Sequence, residues 1–491
     1  MISTKNLGYI LIGIGLLGTI FSFLVDFVGI GDDGIQAAQL LGIELGITLA
    51  LLGLGLVFIG RKQNLTISKI LNFELFSFLD FSSFTWVLIG FFIAYVALFL
   101  GPVFLNSGRH MVYYNRYIPN TGLIGSDLRA VVQYVEAWLI SGQSPYIGGY
   151  IAYPPLVLLL FAPLLLIKFP GYFYLITFAT LVSYILVALV FPMALSRGKD
   201  KAILFLLFAF GLFSYGLQFE IERGQFNLIA FALCFSAIYI FHKYPRMRYF
   251  SYILFVLSVQ LKIYPALFIF MFIDDWGNWK TILKRFFWLG LLNFLLLFIV
   301  GINTFNEFLD ATTQQQLSLT PWNGNSIRSF VFVLSNTGFG VFSENAITKV
   351  SENPRLIEMI FLSIFSFCFV LLIVYAFINK VNGFNPYLFL ACTVGVLIIP
   401  TISNDYKLPL LIAPVSVLFS HWPNMDVTFK KIISVVMLLI VSIAFWSTLY
   451  PFKFKPEIFH NSMPILMLIL LPTTFIILIS KRNKDNHFID L

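Results

Sequence analysis

Long apolar segments dominate the chain, and short polar connections separate them. A helix that crosses a lipid bilayer needs about 20 mainly apolar residues in succession. Segments of this kind recur from one end of the chain to the other, and several of about 16 residues are short enough to be re-entrant or broken. They cover approximately residues 7–29, 35–60, 84–105, 153–168, 171–195, 202–218, 226–242, 249–273, 286–302, 356–379, 385–402, 406–421, 430–450 and 463–480. The pattern therefore predicts an all-α, polytopic transmembrane protein with about 11–14 membrane helices.

The composition indicates that lipid, not water, surrounds most of the apolar surface of this chain. Of the 491 residues, 59% are hydrophobic and 11% are charged, and phenylalanine alone occurs 57 times. Soluble domains carry about a quarter charged residues, so a soluble core of this length could not hide so much apolar surface. The net charge of +8 is spread over the short connections. We interpret it as a signal of topology and of attraction to lipid headgroups, and it excludes a nucleic-acid-binding surface.

Metal and disulfide chemistry are not expected from this sequence. The three cysteines, Cys234, Cys368 and Cys392, all lie inside apolar segments and resemble small core residues. The five histidines are scattered, and neither a CxxC nor an HExxH motif occurs. The sequence therefore predicts no metal and no cofactor.

Basic residues predict the orientation of the helices. Lys5 and the basic residues near 61–83 place the N-terminus and this connection inside, so residues 106–152 face outward and the tail from Lys481 lies inside. The first apolar segment is too long for a signal peptide, and no small-residue cleavage site follows it, so we expect a spanning helix.

Two basic connections conflict with full crossing by every segment. SRGKDK (196–201) and HKYPRMR (242–248) would then face outward, which the positive-inside rule disfavours. Two changes remove the conflict: Tyr153–Phe169 dips into the membrane without crossing, and helix 249–273 breaks near Lys262-Ile263-Tyr264-Pro265 and returns. Proline removes a backbone donor, and membrane helices tolerate such breaks where they line a cavity.

An amphipathic helix is predicted in the first large outer segment, 106–152. Its polar face carries Arg129, Gln133 and Glu136, and Asp127 stands at its start. Such a helix lies in the plane of the membrane interface. Asp127 could act only as an N-cap, a common role for aspartate, or could also be chemically active. The apolar face repeats at helical spacing and consists of Leu128, Val131, Val132, Val135, Trp138 and Leu139.

Two tyrosines frame the following stretch, SPYIGGYIAYPPL. Its prolines suit the first turn of a helix, so the tyrosines could simply lie at the interface. Tyr146 and Tyr153 could instead stack on a sugar ring or bind its hydroxyls.

Polar side chains concentrate at two places within the apolar part of the chain. EIERGQFN (220–227) offers Arg223, Gln225 and Asn227, either as a site or as a turn in the headgroup region. Lys262 lies in the middle of an apolar segment, where an ionisable residue suggests a functional site. Phosphate is a natural partner for its compact ammonium group. Snorkelling is the alternative, but Lys262 is far from either end of its segment.

Two further segments carry candidate residues at the mouths of helices. TPWNGNSIRSF (320–330) offers Trp322, Asn323, Asn325 and Arg328, and PTISNDYKLPLLIAPV (400–415) offers Asp405, Tyr406 and Lys407. A polar loop would explain most of these residues individually.

The order of these pieces resembles the GT-C superfamily of membrane glycosyltransferases, and most closely glycosyltransferase family 87, which uses polyprenyl-phosphate mannose. The resemblance covers residues 125–330, and the first two helices look like an addition to the family pattern. The similar motifs are Asp127, Gly142-Gln143-Ser144-Pro145-Tyr146, Tyr153-Pro154-Pro155-Leu156, Gly224-Gln225-Phe226-Asn227, Lys262-Ile263-Tyr264-Pro265 and Gly324-Asn325-Ser326.

The resemblance implies a GT-C-like architecture and roles for the candidate residues between 125 and 330, to which Asp405, Tyr406 and Lys407 are added as polar residues at a helix mouth. Asp127 would be the catalytic base, and transfer would invert the anomeric carbon without a metal. The donor would be a hexose, most simply mannose, on a polyprenyl (dolichol-type) phosphate, and the acceptor a lipid or glycan at the outer face of the plasma membrane. The substrate-binding residues would be Tyr146, Tyr153, Arg223, Gln225, Asn227, Lys262, Asn325, Arg328, Asp405, Tyr406 and Lys407.

The expected organisation has four parts. They are an N-terminal transmembrane hairpin (1–83), a catalytic transmembrane module (84–302) that includes the outer loop 106–152, a second outer loop (303–355), and C-terminal transmembrane helices (356–491). A multi-pass transporter or lipid flippase is the alternative function, in which Lys262 and the broken helix line a substrate path. Inverted repeats would favour a transporter, and none is recognisable. A membrane scaffold would leave Lys262 without a purpose.

Overall fold

A computed structural model describes residues 4–24, 50, 125–146, 152–195, 204, 207–208, 211–212, 214–318, 324–337, 344–379, 383–401, 403–420 and 471. The chain divides into two compact units, of which the first comprises Met1–Ile124 and Asp200–Phe213 and the second Gly125–Lys199 and Ser214–Leu491. Regular structure in these described ranges is helical, without a strand. Every candidate site residue belongs to the second unit.

The first unit contributes one long described helix, α1, which covers Thr4–Leu24. It corresponds to the segment predicted at 7–29 and is apolar along most of its length. The remainder of the predicted N-terminal hairpin, the segment 84–105 and most of the predicted C-terminal helices after residue 420 lie outside the described residues.

The second unit is a succession of helices of very different lengths. Four of its described connections are 3₁₀ helices, at Ala162–Leu166, Pro245–Met247, Tyr264–Met271 and Asp405–Leu411. The α-helices are α2 (Ser126–Ser141), α3 (Leu156–Phe161), α4 (Gly171–Leu195, with a π-helical turn at Leu186–Val190), α5 (Tyr215–Arg223), α6 (Asn227–Lys243), α7 (Arg248–Leu261), α8 (Trp279–Leu296), α9 (Ile302–Ser318), α10 (Ile327–Thr337), α11 (Glu344–Glu352), α12 (Pro354–Ile378), α13 (Pro386–Ile398) and α14 (Ile412–Ser420).

Within the described ranges, α4 and α12 are the helices long and apolar enough to cross a bilayer, each with 25 residues. Both expose large apolar side chains, such as Phe178 on α4 and Phe367 on α12, each 65% exposed. Lipid is the natural partner of such a surface. Other helices at predicted spans are shorter than these two: α6 has 17 residues, as predicted, and α13 has 13, fewer than the segment 385–402 predicted. The predicted number of 11–14 membrane helices therefore stays a prediction.

The two irregular segments predicted from the positive-inside conflict are present. Residues 156–166 form only a short α-helix and a 3₁₀ turn, together about 19 Å long, whereas the hydrocarbon core of a bilayer is about 30 Å thick. Helix α7 ends at Leu261, and Lys262 has an extended backbone before the 3₁₀ helix that contains Pro265. The predicted helix break is thus confirmed, while the return of both segments to their starting side stays a prediction.

The segment 303–355, predicted as an outer loop, is largely helical. It contains most of α9 together with α10 and α11. The polar residues of this segment do not prevent helix formation, because glutamine has a good helix propensity and that of threonine is only moderately lower. The described residues of this segment thus form helices, and its position outside the membrane stays a prediction.

Helix α6 is the centre of the described core. Phe231 stacks on Phe389 of α13 at 6.0 Å and lies edge-on to Phe268 at 5.5 Å, and Phe235 lies 4.6 Å from Phe389. Aromatic pairs in these arrangements contribute about 0.5–1.5 kcal/mol each beyond the burial of their area. The core therefore fixes α6, and with it the turn that precedes its first residue.

The basic connection before α7 is held by an ion cluster. Asp274 accepts from Arg248 at 2.6 Å and from Arg285 at 3.0 Å, and both guanidinium groups lie over the ring of Phe241. Although burial alone would raise it, the two arginines hold the pKa of Asp274 below its ordinary value. The cluster joins α7 to α8 at the end of α7 that is remote from Lys262.

Candidate active site

Two glycines bring the start of α2 onto the turn between α5 and α6. Gly125 (φ 70°) and Gly224 (φ 65°) both have left-handed backbones, which favour glycine. The Gly125 N–H donates to the carbonyl of Glu222 at 2.6 Å. A Cβ added to Gly224 would lie 2.7 Å from the Cβ of Leu128. Glycine at both positions thus allows two distant parts of the sequence to touch.

Asp127 points its carboxylate into this junction. Its Oδ1 lies 3.1 Å from Nη1 of Arg223, and its Oδ2 accepts from Nε2 of Gln225 at 2.5 Å. The N-cap of α2 is Gly125, without a side-chain cap, so Asp127 does not act as the N-cap. The side chain is 30% exposed. A carboxylate held on two oxygens and open to solvent can accept a proton from a bound hydroxyl group.

Gln225 connects Asp127 to Lys262. Its Oε1 accepts from Nζ of Lys262 at 2.8 Å, while its Nε2 donates to Asp127. The two hydrogen bonds and the width of one amide group keep the ammonium within about 8 Å of the carboxylate. Because Lys262 can only donate and the Asp127 carboxylate can only accept, the Gln225 amide has a single favourable orientation between them.

Lys262 is enclosed by aromatic rings. Its Nζ lies 4.1 Å from the ring centroid of Tyr153 and 4.3 Å from that of Phe226. The residue is 8% exposed, so it does not snorkel to a distant surface. Desolvated cation–π contacts of this kind contribute about 2 kcal/mol and also limit the positions of the ammonium group.

A cavity of about 340 Å³ opens beside Lys262. It contains a second cation, Lys407, whose Nζ lies 5.9 Å from the ring of Tyr264. Neither Asp127 nor Gln225 is among the lining residues, and Asp127 is linked to the lining residue Lys262 through the two hydrogen bonds of Gln225. The lining residues are Ala152, Tyr153, Lys262, Ile263, Tyr264, Thr312, Gln315, Pro400, Thr401, Tyr406 and Lys407.

Two carboxyl groups of α5 stand behind this site. Glu220 is fully buried, and its Oε1 accepts from the backbone N–H of Leu228 in the first turn of α6 at 2.7 Å. Burial raises the pKa of Glu220 to about 8. Burial also raises the pKa of Glu222 to about 7; Arg223 opposes the rise and the charge of Asp127 adds to it. Glu220 therefore holds the first turn of α6 in place through its hydrogen bond to Leu228. The pKa of Glu222 depends on the charges of its neighbours Arg223 and Asp127.

The raised pKa of Glu222 leads to a prediction on stability. As pH rises from about 4.5 to about 7, the unfolded chain loses the Glu222 proton while the folded chain keeps it, so this residue makes folding less favourable. We expect the thermal midpoint of the wild type to fall over this interval relative to that of Glu222→Gln. Scanning calorimetry in one detergent at several pH values measures the difference. The exposed Glu136→Gln is the matched control, and an equal pH dependence in Glu222→Gln and wild type would contradict the expectation.

Four other predicted residues lie in supporting contacts. The hydroxyl of Tyr146 donates to the carbonyl of Tyr153 at 2.8 Å, and the carbonyl of Asn227 accepts from Tyr264 at 2.6 Å. The remaining two bind each other, since Nδ2 of Asn325 donates to Oδ1 of Asp405 at 2.7 Å. All four have 5% or less of their surface exposed, and none lines the cavity.

The structure thus separates the predicted residues into groups. Asp127, Arg223, Gln225 and Lys262 form one hydrogen-bonded chain, and Tyr153, Tyr406 and Lys407 line the cavity with Lys262. Arg328 lies in the first turn of α10 and does not line the cavity. Trp322 and Asn323 lie outside the described residues.

Four polar lining residues were not among the predicted site residues. They are Tyr264, which follows Lys262 closely, Thr312 and Gln315 of α9, and Thr401, which follows the end of α13. The run TTQQQ (312–316), which follows an apolar segment, was the available signal for Thr312 and Gln315. In the part of the chain that the structure describes, no group of three or more His, Cys, Asp or Glu side chains could hold a metal.

Comparison with known protein families identifies a relationship for half of the chain. Residues 150–403 match the family model of glycosyltransferase family 87. Neither the curated proteins nor the solved structures contain a match to this chain. The matched range includes Arg223, Gln225, Lys262 and the α9 residues of the cavity, whereas Asp127 precedes it and Lys407 follows it.

Proposed function

This chain belongs to glycosyltransferase family 87, and from that premise we propose that it transfers a hexose, with mannose as the first candidate, from a polyprenyl-phosphate donor to a lipid or glycan acceptor. The family makes it a glycosyltransferase with a sugar donor and an acceptor, and its members are membrane proteins. The proposed enzyme is a multi-pass protein of the plasma membrane, and its site faces the extracytoplasmic side.

One observation carries the proposal: a carboxylate, an amide and a buried ammonium group are hydrogen-bonded in series beside a cavity with two lysines. Lysine binds phosphate as a point charge, and two lysines suit the charge of a lipid monophosphate. A monophosphate needs less neutralisation than a diphosphate, so the proposed reaction does not require a metal.

Asp127 is the proposed general base. It takes the proton of the acceptor hydroxyl while the hydroxyl oxygen attacks the anomeric carbon of the donor sugar. The bond between this carbon and the phosphate oxygen breaks, and the polyprenyl phosphate leaves with the electron pair. The developing negative charge falls beside Lys262 and Lys407, whose positions are set before the reaction.

The spacing of base and cation suits inversion. Attack and departure on opposite faces require the acceptor and the phosphate to lie on either side of the sugar. The Asp127 carboxylate and the Lys262 ammonium are within about 8 Å of one another across Gln225.

The surroundings of the cavity suit a lipid-linked donor. Its sugar must reach water while its isoprenoid tail stays in the bilayer. Lys262 ends an apolar helix, and the adjacent lining residue Ile263 is 49% exposed. A charged cavity bordered by exposed apolar surface can bind a phosphate and leave its hydrocarbon chain among lipids.

Transfer by the purified protein in lipid nanodiscs tests the proposal. The donors are polyprenyl-phosphate mannose, polyprenyl-phosphate glucose and a nucleotide-linked mannose, each labelled in the sugar. Lipids and glycans extracted from the host membrane serve as acceptors. We expect label to move from a polyprenyl-phosphate donor only, at a rate that a chelator does not change. Transfer from the nucleotide sugar and not from the lipid donors would overturn the proposed donor class.

A further inference from the structure

The cavity contains more polar groups than phosphate binding requires. Lys262 and Lys407 are its cations, and among the described lining residues no side chain is a carboxylate. The remaining hydrogen-bonding groups are neutral: three tyrosines, together with Thr312, Gln315 and Thr401. Neutral donors and acceptors of this kind match the hydroxyl groups of an uncharged sugar ring. The ammonium group of an amino sugar would be repelled by the two lysines and would have no carboxylate partner among the described lining residues.

Helix α9 is held against the site by two contacts. The hydroxyl of Ser144 donates to Oε2 of Glu307 at 2.7 Å, and the ring of Phe308 lies 5.8 Å from that of Tyr146. Tyr146 in turn binds the carbonyl of Tyr153, whose ring contacts Lys262. The segment Ser144–Tyr146 thus joins α9 to the residue that contacts the buried lysine.

Thr312 and Gln315 share the face of α9 that carries Phe308. Positions 308, 312 and 315 are spaced i, i+4 and i+7, and such positions lie on one side of an α-helix. The Thr312 hydroxyl donates its hydrogen to the carbonyl of Phe308 at 2.8 Å, which leaves its oxygen as an acceptor. Gln315 also lines the cavity, and an amide side chain carries both N–H donors and a carbonyl acceptor, so the two residues place both kinds of hydrogen-bonding group at the cavity wall.

We propose that Thr312 and Gln315 form a subsite for the hydroxyl groups of the donor hexose and determine which neutral hexose is transferred. The inference rests on the proposed function, in which the phosphate lies at Lys262 and Lys407. The sugar is one bond away from this phosphate, so it shares the same cavity of about 340 Å³. Cavities of about 300–1,000 Å³ are usual for small ligands.

The expected effect is a loss of discrimination between sugars. A site that hydrogen-bonds a substrate hydroxyl rejects the analogue that lacks it, because its own buried polar groups are left unpaired. Gln315→Met keeps the size of the side chain and removes its hydrogen bonds. We expect this variant to lower the preference in kcat/KM for the natural hexose over its epimers and deoxy analogues by about 10-fold or more.

The experiment measures the sugar preference of four variants and, in a separate assay, their binding of polyprenyl phosphate without a sugar. Gln315→Met and Thr312→Val change the subsite, whereas Gln314→Met and Thr313→Val change exposed neighbours on the same helix and serve as matched controls. Each protein is assayed with polyprenyl-phosphate mannose, glucose, galactose and deoxymannoses. Binding of polyprenyl phosphate without a sugar is measured in parallel, because it depends on the lysines alone. We expect unchanged binding of the bare lipid phosphate in all four variants and a loss of sugar preference in the first two.

Two outcomes would overturn the inference in different ways. If Gln315→Met slows every donor equally and keeps the wild-type preference, the subsite does not exist although the proposed function stands. If the wild type neither binds polyprenyl phosphate nor transfers from any of the donors, the proposed function fails and the subsite with it. Gln315→Asn keeps the amide on a shorter side chain. It provides a second test should the methionine variant not fold, and the same criterion applies to its sugar preference.

Discussion

Replacement of Asp127 by asparagine is expected to lower kcat by about 10²–10⁴-fold, which is the usual contribution of a general base. Asparagine has nearly the same shape and still accepts a hydrogen bond from Gln225, but it cannot take the proton of an acceptor hydroxyl. Binding of polyprenyl phosphate should be nearly unchanged, because Lys262 and Lys407 remain in place. Single-turnover transfer and equilibrium binding, measured on the same preparation, separate the two effects.

The controls for this prediction distinguish chemistry from folding. Asp127 also pairs with Arg223, so its loss could act through the junction of α2 and α5. In that case the thermal midpoint and the affinity for bare polyprenyl phosphate would fall together with the rate. Asp127→Glu restores a carboxylate and should recover part of the activity, and the exposed Asp275→Asn should behave as wild type. Near-normal turnover of Asp127→Asn would remove this residue from the mechanism.

Lys262→Met is expected to lower kcat/KM for the polyprenyl-phosphate donor by about 10²–10³-fold, as loss of a preorganised charge at a developing anion does. Methionine keeps much of the volume between Tyr153 and Phe226 and removes the ammonium group. The affinity for bare polyprenyl phosphate should fall as well, which sets this variant apart from Asp127→Asn. Isothermal titration of the lipid phosphate into nanodiscs that contain the protein measures the change.

The exposed Lys243→Met is the matched control for charge, because it removes one cation away from the cavity. Lys407→Met should weaken donor binding less, since the ammonium group of Lys407 is held less closely, 5.9 Å from the ring of Tyr264, than that of Lys262, which lies 4.1 and 4.3 Å from two rings. If Lys262→Met binds polyprenyl phosphate with wild-type affinity, the assignment of the phosphate to this lysine is wrong.

The helix break at Lys262 and the helix headed by Asp127 could be predicted, because both depend on local sequence. Proline at position 265 removes a backbone donor, and the apolar residues of α2 repeat at helical spacing. The contact of Asp127 with Gln225 could not be predicted in this way, since these residues are 98 positions apart. It depends on the left-handed backbones of Gly125 and Gly224, and the sequence does not state which glycines meet.

Asn325 and Asp405 illustrate a second limit of sequence reasoning. Both are polar residues at the mouths of helices, and both were predicted to bind substrate. The structure pairs them with each other, and Asn325 is fully buried. Sequence alone does not show whether a polar residue binds ligand or pairs with a neighbour, and substrate binding by Asn325 and Asp405 stays a prediction. Gln315 lines the cavity but was not predicted to do so, because its segment was predicted to be an outer loop and no helix face was assigned to it.

In the proposed complex, one lipid phosphate lies between Lys262 and Lys407, and Asp127 lies on the other side of Gln225. A cryo-electron microscopy structure of the protein in nanodiscs with a non-transferable polyprenyl-phosphate sugar would locate both groups. We expect phosphate oxygens within about 3 Å of Nζ of Lys262, and the anomeric carbon between this phosphate and the carboxylate of Asp127. Phosphate density outside the cavity, with Lys262 contacting no part of the ligand, would contradict the proposed complex.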